Sequence, residues 1–153
     1  MINWQDRLDA ALFDKQKVFK KGINPFVFSD ESWNPKYVLD IINRRLISYL
    51  SVNTSSIATK DDFRQTTLAE LRRLPIPKVD LTRHPEKLRH DRMMALVEQM
   101  LAGQKQLAAA QSDGDRDFYG HKCAGLARQI DALVYDLYGL TPDEVKIVEG
   151  AAS

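Results

Sequence analysis

Hydrophobic and polar positions along this chain fall into two patterns, with the change between them near the middle. At the front, INWQDRLDAALFDKQKVFKK puts Leu8 and Leu12 on one helical face with Trp4 and Phe13 beside it, while QKVFKK equally suits the opening of a strand. Gly22 and Pro25 interrupt that stretch, and Phe26, Val27 and Phe28 in PFVFSD make the best strand candidate in the chain. WNPKYVLDIINRRLISYL then carries Val38, Ile41, Ile42, Leu46, Tyr49 and Leu50 as one apolar stripe, with Asp40, Asn43 and Arg44 off it. Asn34 is placed to cap this helix and Pro35 to open it, where a missing N–H is no loss. SVNTSSIATKDD follows as a polar loop of small residues. TTLAELRRLPIPKVD predicts one short helical turn, with Thr67 and Glu70 at capping-box spacing. Pro75 and Pro77 next remove two backbone donors and hold Leu74 and Ile76 extended, so LPIP reads as a stiff connector.

Beyond LPIP the pattern becomes helical throughout. Met93, Val97, Met100, Gln104 and Leu107 alternate at spacings of four and three, and so do Tyr119, Cys123, Leu126, Ile130, Leu133 and Leu137. That alternation averages about 3.5 residues, the repeat of a coiled-coil seam. QSDGD, containing Gly114, is a link short enough to make the two helices an antiparallel hairpin. Gly139 is placed to end the second helix, and Thr141 to cap a last short one, PDEVKIVEG, with Pro142 first and acids in its first turn. The expected fold is α+β and predominantly α-helical: a small mixed N-terminal part, then an antiparallel helical hairpin and a short closing helix. The division falls after residue 83, giving units 1–83 and 84–153.

Charge sharpens that division. The whole chain has 22 Lys and Arg against 21 Asp and Glu, too even for a binder that holds nucleic acid by bulk charge. Through Arg83, however, 14 cations face 10 acids, and from His84 onward 8 face 11. The front is therefore basic and the back acidic. No window approaches the roughly 20 apolar residues of a membrane span. The charged first residues, MINWQDRLDA, do not suit a secretory signal, and one cysteine cannot form an internal disulfide, so a cytoplasmic location is expected.

Reaction chemistry is sparse. The seven glycines are scattered, with no phosphate-binding loop, and no Cys/His spacing suits zinc. His84 and His90 stand six apart at a helix start and do not converge on one metal. Asp61 and Asp62, like Asp115 and Asp117, lie in turn-forming sequence where capping or solvation explains them. Cys123 sits on an apolar seam and reads as a small core residue, because His121, two positions away, points elsewhere on a helix. No catalytic residue and no metal ligand is assigned. The remaining lead is cationic: Lys15, Lys17, Lys20, Lys21, Arg44, Arg45, Lys60 and Arg64 are candidate phosphate contacts, with Arg72 and Arg73 further on, although nearby acids offset several of them.

Three stretches together resemble a known family. YVLDIINRRLISYL is similar to the helix that follows the methylase core in large restriction–modification proteins. LAELRRLPIPKVD is similar to the segment closing their target-recognition region. RMMALVEQMLAGQK with IDALVYDLYGLTPDEVKIVEG resembles their helical C-terminal end. The family is the TaqI-like C-terminal specificity domain of adenine-specific DNA methyltransferases and of type IIG restriction–modification enzymes, and the resemblance runs from about Leu12 to Gly150. It implies sequence-specific reading of duplex DNA that places a target adenine for a methylase, with the terminal helices as scaffold. The methylase signatures themselves are missing: there is no Asn-Pro-Pro-aromatic tetrapeptide and no glycine motif for S-adenosylmethionine, nor is there a nuclease carboxylate–lysine cluster. Residues 19–34 are also short for a complete recognition module.

The expectation is thus a noncatalytic target-recognition fragment of a restriction–modification methyltransferase or endonuclease. Its partner would be duplex DNA in the context of a parent methylase or nuclease. It would carry no cofactor of its own, S-adenosylmethionine and Mg belonging to the parent enzyme. The competing expectation is a helical protein–protein interaction or oligomerisation module without DNA binding, whose seams pair between chains as a homodimer.

Overall fold

The computed structural model describes residues 32–54 and 68–150. Six helices occur there: α1 (Pro35–Ile42), α2 (Arg45–Thr54), α3 (Leu68–Leu71), α4 (His84–Ala109), α5 (Asp113–Tyr138) and α6 (Pro142–Gly150). The predominantly helical expectation holds, but no strand occurs among the described residues, so the mixed α+β character is not seen there. The strand candidate at 26–28, the N-terminal helical face and Thr67 lie outside the described residues.

Two compact units divide the described chain. The first comprises α1, α2, α3, the LPIP segment and α6, and the second comprises residues 78–140. The sequence division after residue 83 grouped the closing helix with the hairpin, whereas α6 packs against α2 and buries Val148. The chain thus leaves the first unit at Pro77 and re-enters it at Thr141.

In the first unit, Asn34 caps α1 as its sequence requires: its Oδ1 accepts from the Lys36 N–H at 2.9 Å, and Pro35 opens the helix. Tyr37, Val38, Ile41 and Ile42 are buried, Ile41 completely. The single helix expected from 34 to 50 is instead broken at Asn43–Arg44. In an unbroken helix the Asp40 carbonyl would accept the Arg44 N–H. Here that N–H turns to the Ile41 carbonyl at 3.1 Å, and the Arg44 Nε takes the Asp40 carbonyl at 3.0 Å. One side chain substitutes for a ladder bond, and the chain restarts as α2 with its register rotated. The restart buries neighbouring Leu46 and Ile47, leaving Tyr49 and Leu50 half-buried. It also carries helix through Ser51–Thr54, where a loop was expected. Asn53 and Thr54 there donate back to the carbonyls of Tyr49 and Leu50.

The second unit is the antiparallel hairpin of α4 and α5, each 26 residues long, or about 39 Å of helix. Met93, Leu96 and Val97 on α4 and Cys123, Leu126, Ile130, Val134 and Tyr135 on α5 are buried. The seam departs from the expected one on both helices: on α4 Gln104 is exposed and Gly103 is buried in its place, and on α5 Val134 and Tyr135 are buried while the expected Leu133 and Leu137 are half-buried. A Cβ on Gly103 would stand 2.9 Å from the Cys123 Sγ, so the absence of a side chain lets the helices approach. The link is residues 110–112, shorter than expected, because Ser112 caps α5 by accepting from the Asp115 N–H at 3.0 Å. Gly114 consequently lies inside the first turn of α5 and not in the link. At the other end Gly139 adopts φ 67°, and the N–H groups of Leu140 and Gly139 bond the carbonyls of Tyr135 and Asp136. These bonds make the glycine-ended helix terminus anticipated from sequence.

Candidate nucleic-acid interface

Of the eight cations proposed as phosphate contacts, two fall within the described residues. Lys15, Lys17, Lys20, Lys21, Lys60 and Arg64 lie outside them. Arg45 is exposed in the first turn of α2. Arg44, its neighbour, is 8% exposed and turned inward. Its guanidinium meets the Asp40 carboxylate at 3.1 Å as well as the Asp40 carbonyl, and Asp40 is itself buried. The adjacent arginines therefore have different tasks. One neutralises a buried carboxylate and shapes the chain, and the other lies at the surface. Arg72 and Arg73, just after α3, are also exposed.

A second feature was not anticipated. The Tyr37 hydroxyl donates to the Pro77 carbonyl at 3.1 Å, joining α1 to the last residue of LPIP across 40 positions of sequence. Burial, reinforced by the negative charge of Asp40, pushes the Tyr37 hydroxyl up to about 12. It stays protonated, and a donor, through neutral pH. Prolines make the LPIP backbone stiff; Tyr37 decides where it is held. Asp40 and Arg44 stand at i,i+4 spacing in the sequence, but that spacing does not reveal burial, and Tyr37 fell outside the apolar stripe.

Other polar groups serve helix ends. The Thr141 N–H and Oγ1 both donate to the Glu144 carboxylate, at 2.7 and 2.8 Å, and these bonds hold Glu144 below the ordinary glutamate range. Asp80 is likewise lowered by the Thr82 hydroxyl and N–H, which it accepts ahead of α4. No group of three His, Cys, Asp or Glu side chains suited to a metal occurs among the described residues. Cys123 is buried, and the His121 ring bonds the Asp117 carbonyl of its own helix at 2.7 Å. Among the described residues no helix is long and apolar enough to cross a membrane.

Among the described residues, the candidate surface thus comprises exposed Arg45 beside the turn that Arg44 braces. Residues 2–76 match the family model of the TaqI-like C-terminal specificity domain, so the family resemblance holds over that stretch. The match ends one residue before Pro77, where the chain leaves the first unit. Over 141 residues, 90% of its length, the chain is 37% identical to a Methanocaldococcus jannaschii protein named "putative type II restriction enzyme and methyltransferase". The chain spans about a tenth of that relative's length. An alignment this long includes most of the hairpin, which lies beyond the specificity-domain match. No solved structure matches the chain.

Proposed function

We propose that the chain is a noncatalytic DNA target-recognition part of a restriction–modification methyltransferase or endonuclease. The specificity-domain match over residues 2–76 carries this reading. Recognition is assigned to residues 1–83, including the mixed α+β portion expected near the N-terminus, and scaffolding to the helices beyond. Arg45, Lys15, Lys17, Lys20, Lys21, Lys60 and Arg64 supply phosphate contacts. Arg44 serves the same surface indirectly, by bracing the turn from which Arg45 projects. Methylation or cleavage, with S-adenosylmethionine or Mg, belongs to other parts of a larger enzyme, and the setting is the cytoplasm.

The seams of α4 and α5 face each other within one chain, which favours this reading over pairing between chains. The decisive experiment is titration of duplex DNA with the full chain across a salt series from about 50 to about 200 mM. Each phosphate neutralised contributes about −0.9 to the slope of log affinity against log salt, so affinity falls steeply over that range. Arg45→Ala lowers the steepness by about one such contribution. Absence of binding at the lowest salt, or binding indifferent to salt, overturns the proposal.

A further inference from the structure

We infer that the first turns of α4 form a second phosphate-contact surface, centred on Arg89 and Arg92, that engages the backbone of duplex DNA. This rests on the DNA-recognition reading above and extends it to a helix outside the specificity-domain match.

Residues 83–92 contain four cations, Arg83, Lys87, Arg89 and Arg92, against two acids, Glu86 and Asp91. Both acids are already taken. Glu86 pairs with Arg83 at 2.6 Å, and Asp91 pairs with Lys87. Arg89 and Arg92 are exposed and form no ion pair with a carboxylate among the described residues; the Arg89 Nε only reaches back to the Pro85 carbonyl at 3.4 Å. Their i,i+3 spacing sets them side by side on the helix surface.

What surrounds them distinguishes this from an ordinary solvated face. Leu88, Arg92, Ala95, Gln99, Ala102 and Gln106 follow one another at spacings of four and three, and every one is exposed. This strip, about five turns long, itself carries no carboxylate. The acids Asp91 and Glu98 border this strip on the side away from Arg89, three or four residues from Leu88, Ala95 and Ala102, with Lys87 and Lys105 beyond them. Charged side chains on solvated helices normally interleave in sign. Here two guanidiniums, whose fork geometry suits phosphate oxygens, stand outside the ion pairs that occupy Glu86 and Asp91.

The full chain carrying R89A/R92A tests this by fluorescence anisotropy on duplex DNA across the same salt series. Loss of two phosphate contacts flattens the slope of log affinity against log salt by about 1.8 and weakens binding equally on duplexes of different sequence. R89K/R92K retains the slope, and Lys105→Ala, more than three turns further along α4, leaves it unchanged. Circular dichroism of R89A/R92A should show unaltered helix content, since both side chains are exposed. Wild-type binding with an unchanged slope in R89A/R92A overturns this inference alone and leaves the face to an acidic protein surface. Failure of the wild-type chain to bind any duplex removes the DNA reading itself.

Discussion

Replacing Gly103 by alanine sets two opposing effects of similar size against each other. Glycine within a helix costs about 1 kcal/mol relative to alanine, so at an open position the exchange would stabilise α4. At Gly103 the new Cβ would arrive 2.9 Å from the Cys123 Sγ, closer than real Cβ atoms approach a neighbour. The thiol has one rotatable bond and is 5% exposed among packed side chains, so it has little room to withdraw. Overpacking a well-filled seam costs about 1–3 kcal/mol. The clash should therefore win, leaving Gly103→Ala destabilised by about 1 kcal/mol, or about 2–4 °C in the melting of a chain this size.

A double-mutant cycle with Cys123→Ala isolates the cause. Removing the thiol from the wild-type seam opens a small void and destabilises it. In the Gly103→Ala background the same truncation relieves the clash, so the two changes couple favourably by about 1 kcal/mol or more. Urea denaturation followed by helical circular dichroism, run on all four proteins, reads that coupling. If Gly103→Ala melts above wild type, or if the two changes add within about 0.5 kcal/mol, the close approach of α4 and α5 at this point is refuted.

Further predictions concern the first unit. Asp40→Ala leaves the buried Arg44 guanidinium without its carboxylate and should destabilise by about 3–5 kcal/mol, whereas Asp40→Leu with Arg44→Met should recover most of that; equal losses in a denaturant titration would contradict the pairing. Tyr37→Phe removes the bond to Pro77 and should cost about 1 kcal/mol in the same assay. Because the Tyr37 hydroxyl is raised from 10.0 to about 12, its contribution is complete below pH 10 and is lost as pH rises toward 12; Tyr37→Phe should remove that alkaline decline in melting temperature. Glu144 is lowered, so the stability it contributes is present above its unfolded pKa and lost as pH falls through its folded one. Glu144→Gln should flatten the acid limb of the stability profile, and an unaltered limb would show that the bonds to Thr141 are not made in solution.

How much of this was legible in sequence depended on the range of the determining interaction. Caps are settled within four residues, and Asn34, Gly139 and Thr141 act where their neighbours indicate. Ser112 shows the limit of that rule, since two turn-forming signals competed and the nearer cap made Gly114 helical. The break at Asn43–Arg44 was not legible, because apolar periodicity runs smoothly through it. Its cause is Arg44 turning back onto Asp40, a consequence of burying both. The same burial separates Arg44 from Arg45, which as neighbouring letters had equal standing as DNA contacts. Gly103 was missed for a related reason: a strict alternation of four and three selects Gln104, while the closest approach of two helices selects whichever nearby residue has no side chain.

Charge counting changes meaning at the same level of detail. The surplus of four in the front half is unaffected by the Asp40–Arg44 pair, which removes one charge of each sign, so that surplus resides in other side chains. The deficit of three in the back half, by contrast, is unevenly spread. Residues 84–92 hold three cations and two acids, and residues 93–150 hold five cations and nine acids. Asp113, Asp115 and Asp117 sit at the far end of the hairpin, about 39 Å of helix away and several times the roughly 8 Å over which charges are felt at physiological salt. Asp131 and Asp136 return toward the base along α5, yet neither pairs with Arg89 or Arg92. The acidity of the hairpin as a whole is therefore no argument against an anion meeting the start of α4, where Glu86 and Asp91 are already paired with Arg83 and Lys87.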